Sequence, residues 1–218
     1  MIRRAILLLL ALSLCGATAG AYDNDDFQYW NNESAAWKLN EDWVFTAEEE
    51  FRFGDDAHDF YYQHTDWGLK YSGLTEWLDV GINYRGVFEE SKSDWTYENR
   101  PHLNLTVKMR SQGFTLSNRA RMEFRIRQSA EDKPRYRHKA TLTFPWRWTA
   151  WEIQPYLADE AFIDFEGTEF TRNRIYSGFS SRITKNLRCD IFYMLQHSKA
   201  SANWNRSHVL GTALRVSF

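Results

Sequence analysis

Successive stretches of this sequence alternate apolar and polar residues with a period of two, and that alternation constrains the fold more than any other feature. In 118–128, NRARMEFRIRQ, the residues Ala120, Met122, Phe124 and Ile126 alternate with four arginines and a glutamate. Consecutive side chains of a β-strand point to opposite faces, so the stretch would have one apolar and one charged face. A helix would spread the arginines around its circumference. The pattern therefore predicts a strand.

The same alternation recurs along most of the chain. Strands are predicted at 42–53, 59–71, 76–88, 95–109, 113–127, 135–144, 150–162, 170–183, 186–197 and 206–218, with a further one at 27–39. Many reach the ~9–11 residues that a tilted strand needs to cross a bilayer. In the first of the ten, Trp43, Phe45 and Phe51 share an apolar face that Glu49 interrupts. Transmembrane strands are therefore expected.

The first 21 residues have the pattern of a secretory signal peptide. A short basic start precedes an apolar run at 5–14 and small residues that end at Ala21 and suit cleavage. The run is too short for a membrane anchor. A lipoprotein interpretation of Cys15 is disfavoured because a leucine precedes it. Cys189 would then be the single cysteine of the mature chain, which excludes an intrachain disulfide.

The mature chain suits one domain. Residues 22–41 are predicted as an N-terminal segment carrying the extra strand, and residues 42–218 as the barrel domain. Without the signal peptide, 27 − 2 = 25 basic residues face 29 acidic ones, a net charge near −4 that argues against a nucleic-acid partner. A 17% aromatic content argues against disorder. No long apolar run follows the signal peptide, so transmembrane helices are not expected.

Connections and tryptophans indicate where the strands lie. Tight turns are predicted near 40, 72–73, 111–113, 145–149 and 185–186, alternating with longer loops at 54–58, 89–94, 128–134, 163–169 and 198–205. Trp37, Trp43, Trp77, Trp146, Trp148 and Trp151 lie near the turns, and Trp95 and Trp204 near the loops. Short periplasmic turns, longer extracellular loops and two aromatic girdles are typical of outer-membrane barrels. A soluble secreted β-sandwich would explain the alternation alone. The prediction is an all-β, closed antiparallel transmembrane barrel.

The chain also resembles the domain-of-unknown-function 2490 family of outer-membrane β-barrels. The resemblance rests on DFQYWNNESAAWKL (26–39), EEEFRF (48–53), ENRPHLNLTVKMRSQGFTLSNRARMEFRIR (98–127), QPYLADEAF (154–162) and HVLGTALRVSF (208–218). It covers nearly the whole mature chain. It implies a barrel in the outer membrane of a Gram-negative bacterium, and it implies no particular activity or catalytic residue.

The predicted number of strands is ten to twelve. Ten segments from residue 42 make an even barrel, and the segment 27–39 would be an eleventh, parallel to the last strand. Because bacterial barrels are normally even-numbered, two arrangements remain open. Either 27–39 lies inside or beside a ten-stranded barrel, or there is a twelfth strand.

Residue pairs suited to catalysis are few. His197 and Ser198 are adjacent, so within a strand they would project to opposite faces, out of the mutual reach that a nucleophile and its base need. His64 and Asp66 share a face, and there a luminal hydrogen bond is a simpler role than acid–base catalysis. No cluster has metal-ligand spacing, and no cofactor is expected. The protein is predicted not to be an enzyme.

The main functional constellation is a basic wall inside the barrel. If apolar faces meet lipid, three consecutive strands contribute inward Arg100, His102, Lys108, Arg119, Arg121, Arg125, Arg127, Arg135, Arg137 and Lys139. Predicted acidic partners on the same interior are Glu48, Glu50, Glu98, Glu123, Glu152, Glu160 and Asp190. His138 would face the opposite way. Strands lie about 4.8 Å apart, so these charges repel unless they are partnered.

Two functions follow from this wall. The first is a porin-like, narrow pore or binding site for small anionic solutes. The second is a closed structural or envelope-interaction barrel whose lumen is filled by salt bridges. An outer-membrane lipid hydrolase is a third, weaker alternative. Outer-membrane lipids are the expected partners, and nothing in the sequence indicates an oligomeric state.

Overall fold

The computed structural model describes residues 24–91, 94–128, 130–165, 169–200 and 203–218; the predicted signal peptide, with Cys15, lies outside these ranges. They form eleven strands: β1 (Asp26–Lys38), β2 (Trp43–Gly54), β3 (Asp59–Thr75), β4 (Leu78–Ser91), β5 (Asp94–Ser111), β6 (Phe114–Arg127), β7 (Lys133–Thr143), β8 (Gln154–Asp164), β9 (Glu169–Arg182), β10 (Leu187–Ala200) and β11 (Asn203–Ser217). No helix in the described part of the chain is long and apolar enough to cross a membrane.

The eleven strands form one closed all-β barrel. Each strand pairs with its sequence neighbours, and β1 pairs with β11 to complete the ring. The consecutive pairs are antiparallel, whereas β1 and β11 are parallel, in a register that runs from Asp26 opposite Ser207 to Ala36 opposite Ser217. The parallel pair is a geometric necessity, because the first and last strands of an odd-numbered meander point the same way.

The strand β1 resolves the predicted placement of 27–39. It lies in the barrel wall, between β2 and β11, rather than inside or beside a ten-stranded barrel, and no twelfth strand occurs among the described residues. The predicted direction, parallel to the last strand, is confirmed. The preference for an even number was wrong for this chain. Among the described residues the barrel therefore begins at Asp26 and not at residue 42.

The connections differ from the predicted pattern in length. We call the end with connections 39–42, 76–77, 112–113, 144–153 and 183–186 the turn end, and the opposite end the loop end. Connections at the loop end span only two to five residues, because paired strands continue beyond the apolar segments; Ser91 still pairs with Asp94. The longest connection, 144–153, lies at the turn end. As far as the bounds of the described strands show, the predicted contrast between short turns and long loops is therefore not found.

One turn has the conformation that its sequence suggests. Gln112 and Gly113 join β5 to β6 with φ values of 49° and 82°. Positive φ at both central residues matches the twist of a two-residue hairpin, and glycine adopts it without steric cost.

The polarity of the barrel is the reverse of that of a soluble domain. Outward-facing Ile82 and Trp67 are 60% and 56% exposed, whereas Glu123 and Glu160, which face inward, are 0% and 1% exposed. His138 is exposed on the outer face, as predicted. One outward carboxylate, Glu49, accepts hydrogen bonds from Gln63 and Thr65 on β3. The wall thus separates an apolar exterior from a charged interior.

Aromatic side chains gather at both ends of the outer face. At the turn end the rings of Trp43 and Tyr71 are 4.8 Å apart, and at the loop end those of Phe60 and Trp95 are 5.4 Å apart. The exposed tryptophans at the turn end include Trp77, Trp146, Trp148 and Trp151, and those at the loop end are Trp95 and Trp204. The two groups form belts where the sequence predicts girdles.

Candidate functional site in the barrel lumen

The centre of the lumen is built around two buried carboxylates. Glu160 on β8 accepts hydrogen bonds from Arg137 at 2.8 Å, from Arg119 at 2.9 Å and from the hydroxyl of Tyr176 at 3.0 Å. Glu123 on β6 accepts one from Arg137 at 2.6 Å. Arg137 therefore links two acids across β6, β7 and β8. Such charge-assisted bonds are among the strongest in proteins, and they fix the side chains that they join.

A second cluster lies on β2, β3, β4 and β5. Arg85 donates to Asp66 at 2.8 Å and to Glu48 at 2.9 Å, and His64 Nε2 lies 2.9 Å from Glu48. His102 Nε2 lies 3.5 Å from Asp66. His64 and Asp66, which share a face as predicted, thus have different main partners. Luminal hydrogen bonds account for both residues.

Further pairs hold the loop half of the lumen. Arg125 donates two hydrogen bonds to Glu98, at 2.8 and 2.7 Å, and Arg100 donates one to the same carboxylate at 2.7 Å. Arg52 lies 2.6 Å from Glu50. The predicted acidic partners on β2 and β5 are therefore occupied by arginines within the barrel.

Aromatic rings support the same arginines. The guanidinium carbons of Arg137, Arg174 and Arg172 lie 4.7, 4.8 and 5.6 Å from the centre of the Phe162 ring, which is 2% exposed. A ring face attracts a cation placed over it. Phe162 thereby holds several positive groups near one another in the loop half of the lumen.

Lys139, Arg172 and Arg188, three cations on one side of the lumen, have no carboxylate within 4.0 Å among the described residues. Lys139 Nζ lies 3.8 Å from the centre of the Tyr176 ring. Arg172 donates to Ser198 at 3.0 Å, and Arg188 donates to Ser180 at 3.0 Å. All three lie on the wall formed by β7, β9 and β10. This wall consequently carries positive charge that the neighbouring acids leave unpaired.

Four cavities lined by described residues lie along the lumen. Near the turn end there is a cavity of about 340 Å³ that Lys70 and Asp79 line, and next to it one of about 470 Å³. A cavity of about 60 Å³ follows, and then one of about 270 Å³ near the loop end. Consecutive cavities share lining residues, such as Arg121 for the first two and Arg125 for the last two. The space therefore runs along the barrel and narrows in its loop half.

The structure distributes the predicted basic wall along this space. Eight of its residues are buried or half-buried inside the lumen: Arg100, His102, Arg119, Arg121, Arg125, Arg135, Arg137 and Lys139. Lys108 lies toward the turn end, paired with Asp79, and Arg127 lies near the loop end, where it donates to the carbonyl of Glu131. The wall is therefore one side of a larger charged interior.

Two predicted acidic partners at the turn end differ in position. Asp190 is buried in the lumen and pairs with Arg215. Glu152 is not luminal: it lies in the connection before β8, 3.5 Å from both Arg147 and Arg182. The strand predicted from residue 150 begins at Gln154 instead, so the alternation that placed Glu152 inward does not apply there.

Several luminal arginines were missed by the sequence interpretation: Arg85, Arg172, Arg174, Arg188 and Arg215. Each is a single basic residue, or one of a pair, in a strand that otherwise looks ordinary, whereas β5, β6 and β7 carry conspicuous basic runs. The inward parity of each strand was the signal that would have found them.

The residues of the hydrolase alternative lie as strand geometry requires. Ser198 faces the lumen, where its Oγ accepts a hydrogen bond from Arg172. His197 pairs across strands with Asn173, which bonds Asp159 on the outer face. The two side chains therefore lie on opposite sides of the wall. Among the described residues no group of three His, Cys, Asp or Glu is arranged to hold a metal ion.

Comparison with known proteins identifies one family. The family model described as "Protein of unknown function (DUF2490)" matches residues 27–207. This range includes the nine complete strands β2 to β10, β1 without its first residue, and the beginning of β11. No curated protein matches the chain, and no solved structure matches it. Because the family model covers well over half of the sequence, this chain belongs to the DUF2490 family of proteins of unknown function.

Proposed function

We propose that this chain is an outer-membrane β-barrel that passes or binds small anionic solutes and has no enzymatic activity of its own. In this proposal a signal peptide of residues 1–21 directs export, and outer-membrane lipids surround the apolar belt. The reversed polarity of the barrel supports the membrane location, since a continuous exposed apolar surface is stable in lipid and promotes aggregation in water. The belts of tryptophan and tyrosine at its two ends suit the lipid headgroup regions.

The observation that carries the anion proposal is the charge around the largest cavity. Nine basic residues line the cavity of about 470 Å³, against four acidic ones. Three cations on one wall of the lumen, Lys139, Arg172 and Arg188, lack a carboxylate partner among the described residues. An unpaired positive surface of this kind attracts anions and repels cations.

A closed structural barrel is the second candidate, and one observation favours it. Glu123, Glu160, His64 and His102 are each 0–1% exposed, so side chains fill the middle of the lumen. In a barrel of this size side chains can occupy most of the interior. The two candidates differ in whether solute passes, which conductance measures directly.

The experiment is conductance across a planar bilayer, made with protein that has been refolded and shown to be folded by its heat-dependent electrophoretic mobility. The proposal predicts discrete channel openings. A silent bilayer with fully folded protein would contradict the pore and favour the closed barrel. Boiled protein from the same preparation is the control for detergent and contaminants.

The choice of variants follows from the ion pairs. Reversing Arg121 and Arg125 would disturb folding as well as charge, because Arg125 is bound twice to Glu98. Lys139→Gln with Arg188→Gln removes two cations and leaves no carboxylate without its partner. We expect this double variant to fold like the wild type and to conduct anions less well. Fractionation of the cell envelope checks the location of the wild type and of the double variant, and both are expected in the outer membrane.

A further inference from the structure

The smallest of the four luminal cavities has an unusual lining. Its volume is about 60 Å³, and of the eleven described residues around it eight are arginines and one, Glu89, is acidic. It shares Arg137 and Arg174 with the cavity of about 470 Å³, and Arg125 with that of about 270 Å³. It therefore lies between two wider spaces, at the narrow part of the lumen.

Arg172 is the member of this group whose charge is least compensated. Its Nε donates to Ser198 at 3.0 Å, and its guanidinium group lies 5.6 Å from the centre of the Phe162 ring. No carboxylate among the described residues lies within 4.0 Å of it. The other charged groups that line the cavity are seven arginines, among them Arg174, Arg135 and Arg52, and one acid, Glu89. Apart from Glu89, the neighbours of this half-buried cation are thus neutral or carry the same charge.

The chemistry of these groups indicates what would complete the site. A guanidinium group presents parallel N–H donors that match the oxygens of phosphate or carboxylate, and several such groups around one point favour an anion with several oxygens. The volume is about twice the ~30 Å³ that one water occupies in the liquid. It suits an anion of a few atoms and is too small for a nucleotide or a sugar.

We propose, building on the anion function above, that this cavity binds one compact oxyanion of the phosphate or sulfate class, with Arg172 as its least compensated ligand. The bound anion supplies the negative charge that the local carboxylates do not provide. Arg172 then acts in recognition more than in stability. The site also gives the narrow part of the lumen a preference for compact oxyanions over larger anions.

The test uses the full mature chain, folded in detergent, and isothermal titration calorimetry with sodium phosphate and with sodium sulfate against sodium chloride at matched ionic strength. Wild type is expected to bind at least one of the two oxyanions with one-to-one stoichiometry. Arg172→Gln is expected to weaken that binding by at least about tenfold, the loss of a charge-assisted contact. Arg182→Gln is the matched control, because Arg182 lies on the same strand, exposed at the turn end beside Glu152.

Stability separates recognition from a structural role. Without oxyanion, Arg172→Gln is expected to unfold at the same temperature as wild type or higher, because the substitution removes repulsion and leaves no acid unpaired. Arg172→Lys provides a second variant that retains the charge and loses the paired donors; it is expected to lose oxyanion affinity while its unfolding temperature without oxyanion stays that of wild type.

Three results would overturn the site. The first is that folded wild type binds neither oxyanion. The second is that Arg172→Gln and Arg182→Gln weaken oxyanion binding equally. The third applies if Arg172→Gln does not fold, and it is that Arg172→Lys binds the oxyanion as tightly as wild type does. None of them depends on conductance in potassium chloride. Anion-selective channels without oxyanion binding would remove this site and retain the proposed function, whereas oxyanion binding in a silent barrel would identify a binding protein and remove the pore.

Discussion

Arg52 on β2 and Arg174 on β9 lie over the same indole ring, that of Trp30 on β1, with their guanidinium carbons 3.7 and 4.8 Å from its centre. Two like charges from separate parts of the wall thus meet at one buried aromatic side chain, which is 4% exposed. Arg52 also lies 3.8 Å from the centre of the Tyr62 ring. Aromatic faces therefore supplement carboxylates in holding the basic interior together.

This arrangement predicts the effect of replacing Trp30. Trp30→Leu keeps an apolar side chain but removes the ring face from two cations, and each such contact contributes about 0.5–2 kcal/mol. We expect the free energy of unfolding, measured by urea titration in lipid vesicles, to fall by about 2–3 kcal/mol. Trp37→Leu, on the outer face at the turn end, is the control and is expected to cost less.

Glu160 is predicted to be essential to the folded state. Glu160→Gln removes the negative charge that Arg119, Arg137 and Arg174 share. Removing one partner of a buried ion pair costs about 3–5 kcal/mol. The neighbouring Asp159→Asn, on the outer face beside Asn173, is the control, and its expected loss is below about 1 kcal/mol. Equal losses in the two variants would show that the central network does not stabilise the barrel.

Substitution of Leu103 tests the membrane location. Leu103 is 51% exposed in the middle of β5. If lipid surrounds it, Leu103→Arg costs about 2–4 kcal/mol, whereas an exposed surface position in water changes stability by less than about 0.5 kcal/mol. Leu39→Arg, in an exposed connection at the turn end, is the control, with an expected loss of about 1 kcal/mol or less. A small effect at both positions would argue for a soluble barrel.

The parallel closure of the barrel predicts a specific cross-link. Ala35 on β1 is opposite Val216 on β11. In a Cys189→Ser background, Ala35→Cys with Val216→Cys should form a disulfide, because adjacent strands bring such positions within its range. Mass spectrometry of proteolytic fragments identifies the bond. Replacing Val216→Cys by Leu214→Cys shifts the pair by two residues and should reduce the yield. Efficient bonding in the shifted pair alone would contradict the register.

Much of the fold follows from residue parity. The stretch 118–128 shows why: once Ala120 and Phe124 face outward, Arg121 and Arg125 must face inward, and the structure has this arrangement. The position of β1 could not be derived in this way. The parity of a residue determines which face of the sheet its side chain occupies, but it does not determine which strands are neighbours. In addition, bacterial barrels normally have an even number of strands, which argued against a ring of eleven.

The site was predictable in part for the same reason. The basic residues of β5, β6 and β7 stand out as runs, but their partners depend on contacts between distant strands. Arg119 on β6 bonds Glu160 on β8, two strands away. The lack of a carboxylate at Arg172 is equally invisible in sequence, because it depends on which acids of other strands come within reach. Lengths of the connections were misjudged because polar strand ends, such as Glu89 opposite Thr96, look like loops.

The reversal potential of single channels in a potassium chloride gradient tests the central claim most directly. For wild-type channels the reversal potential is expected to have the sign of the chloride equilibrium potential, because the wall that carries Lys139 and Arg188 has unpaired positive charge. In Lys139→Gln with Arg188→Gln the reversal potential is expected to move toward zero. A wild-type reversal potential at zero, or of the sign set by potassium, would contradict the anion-selective lumen.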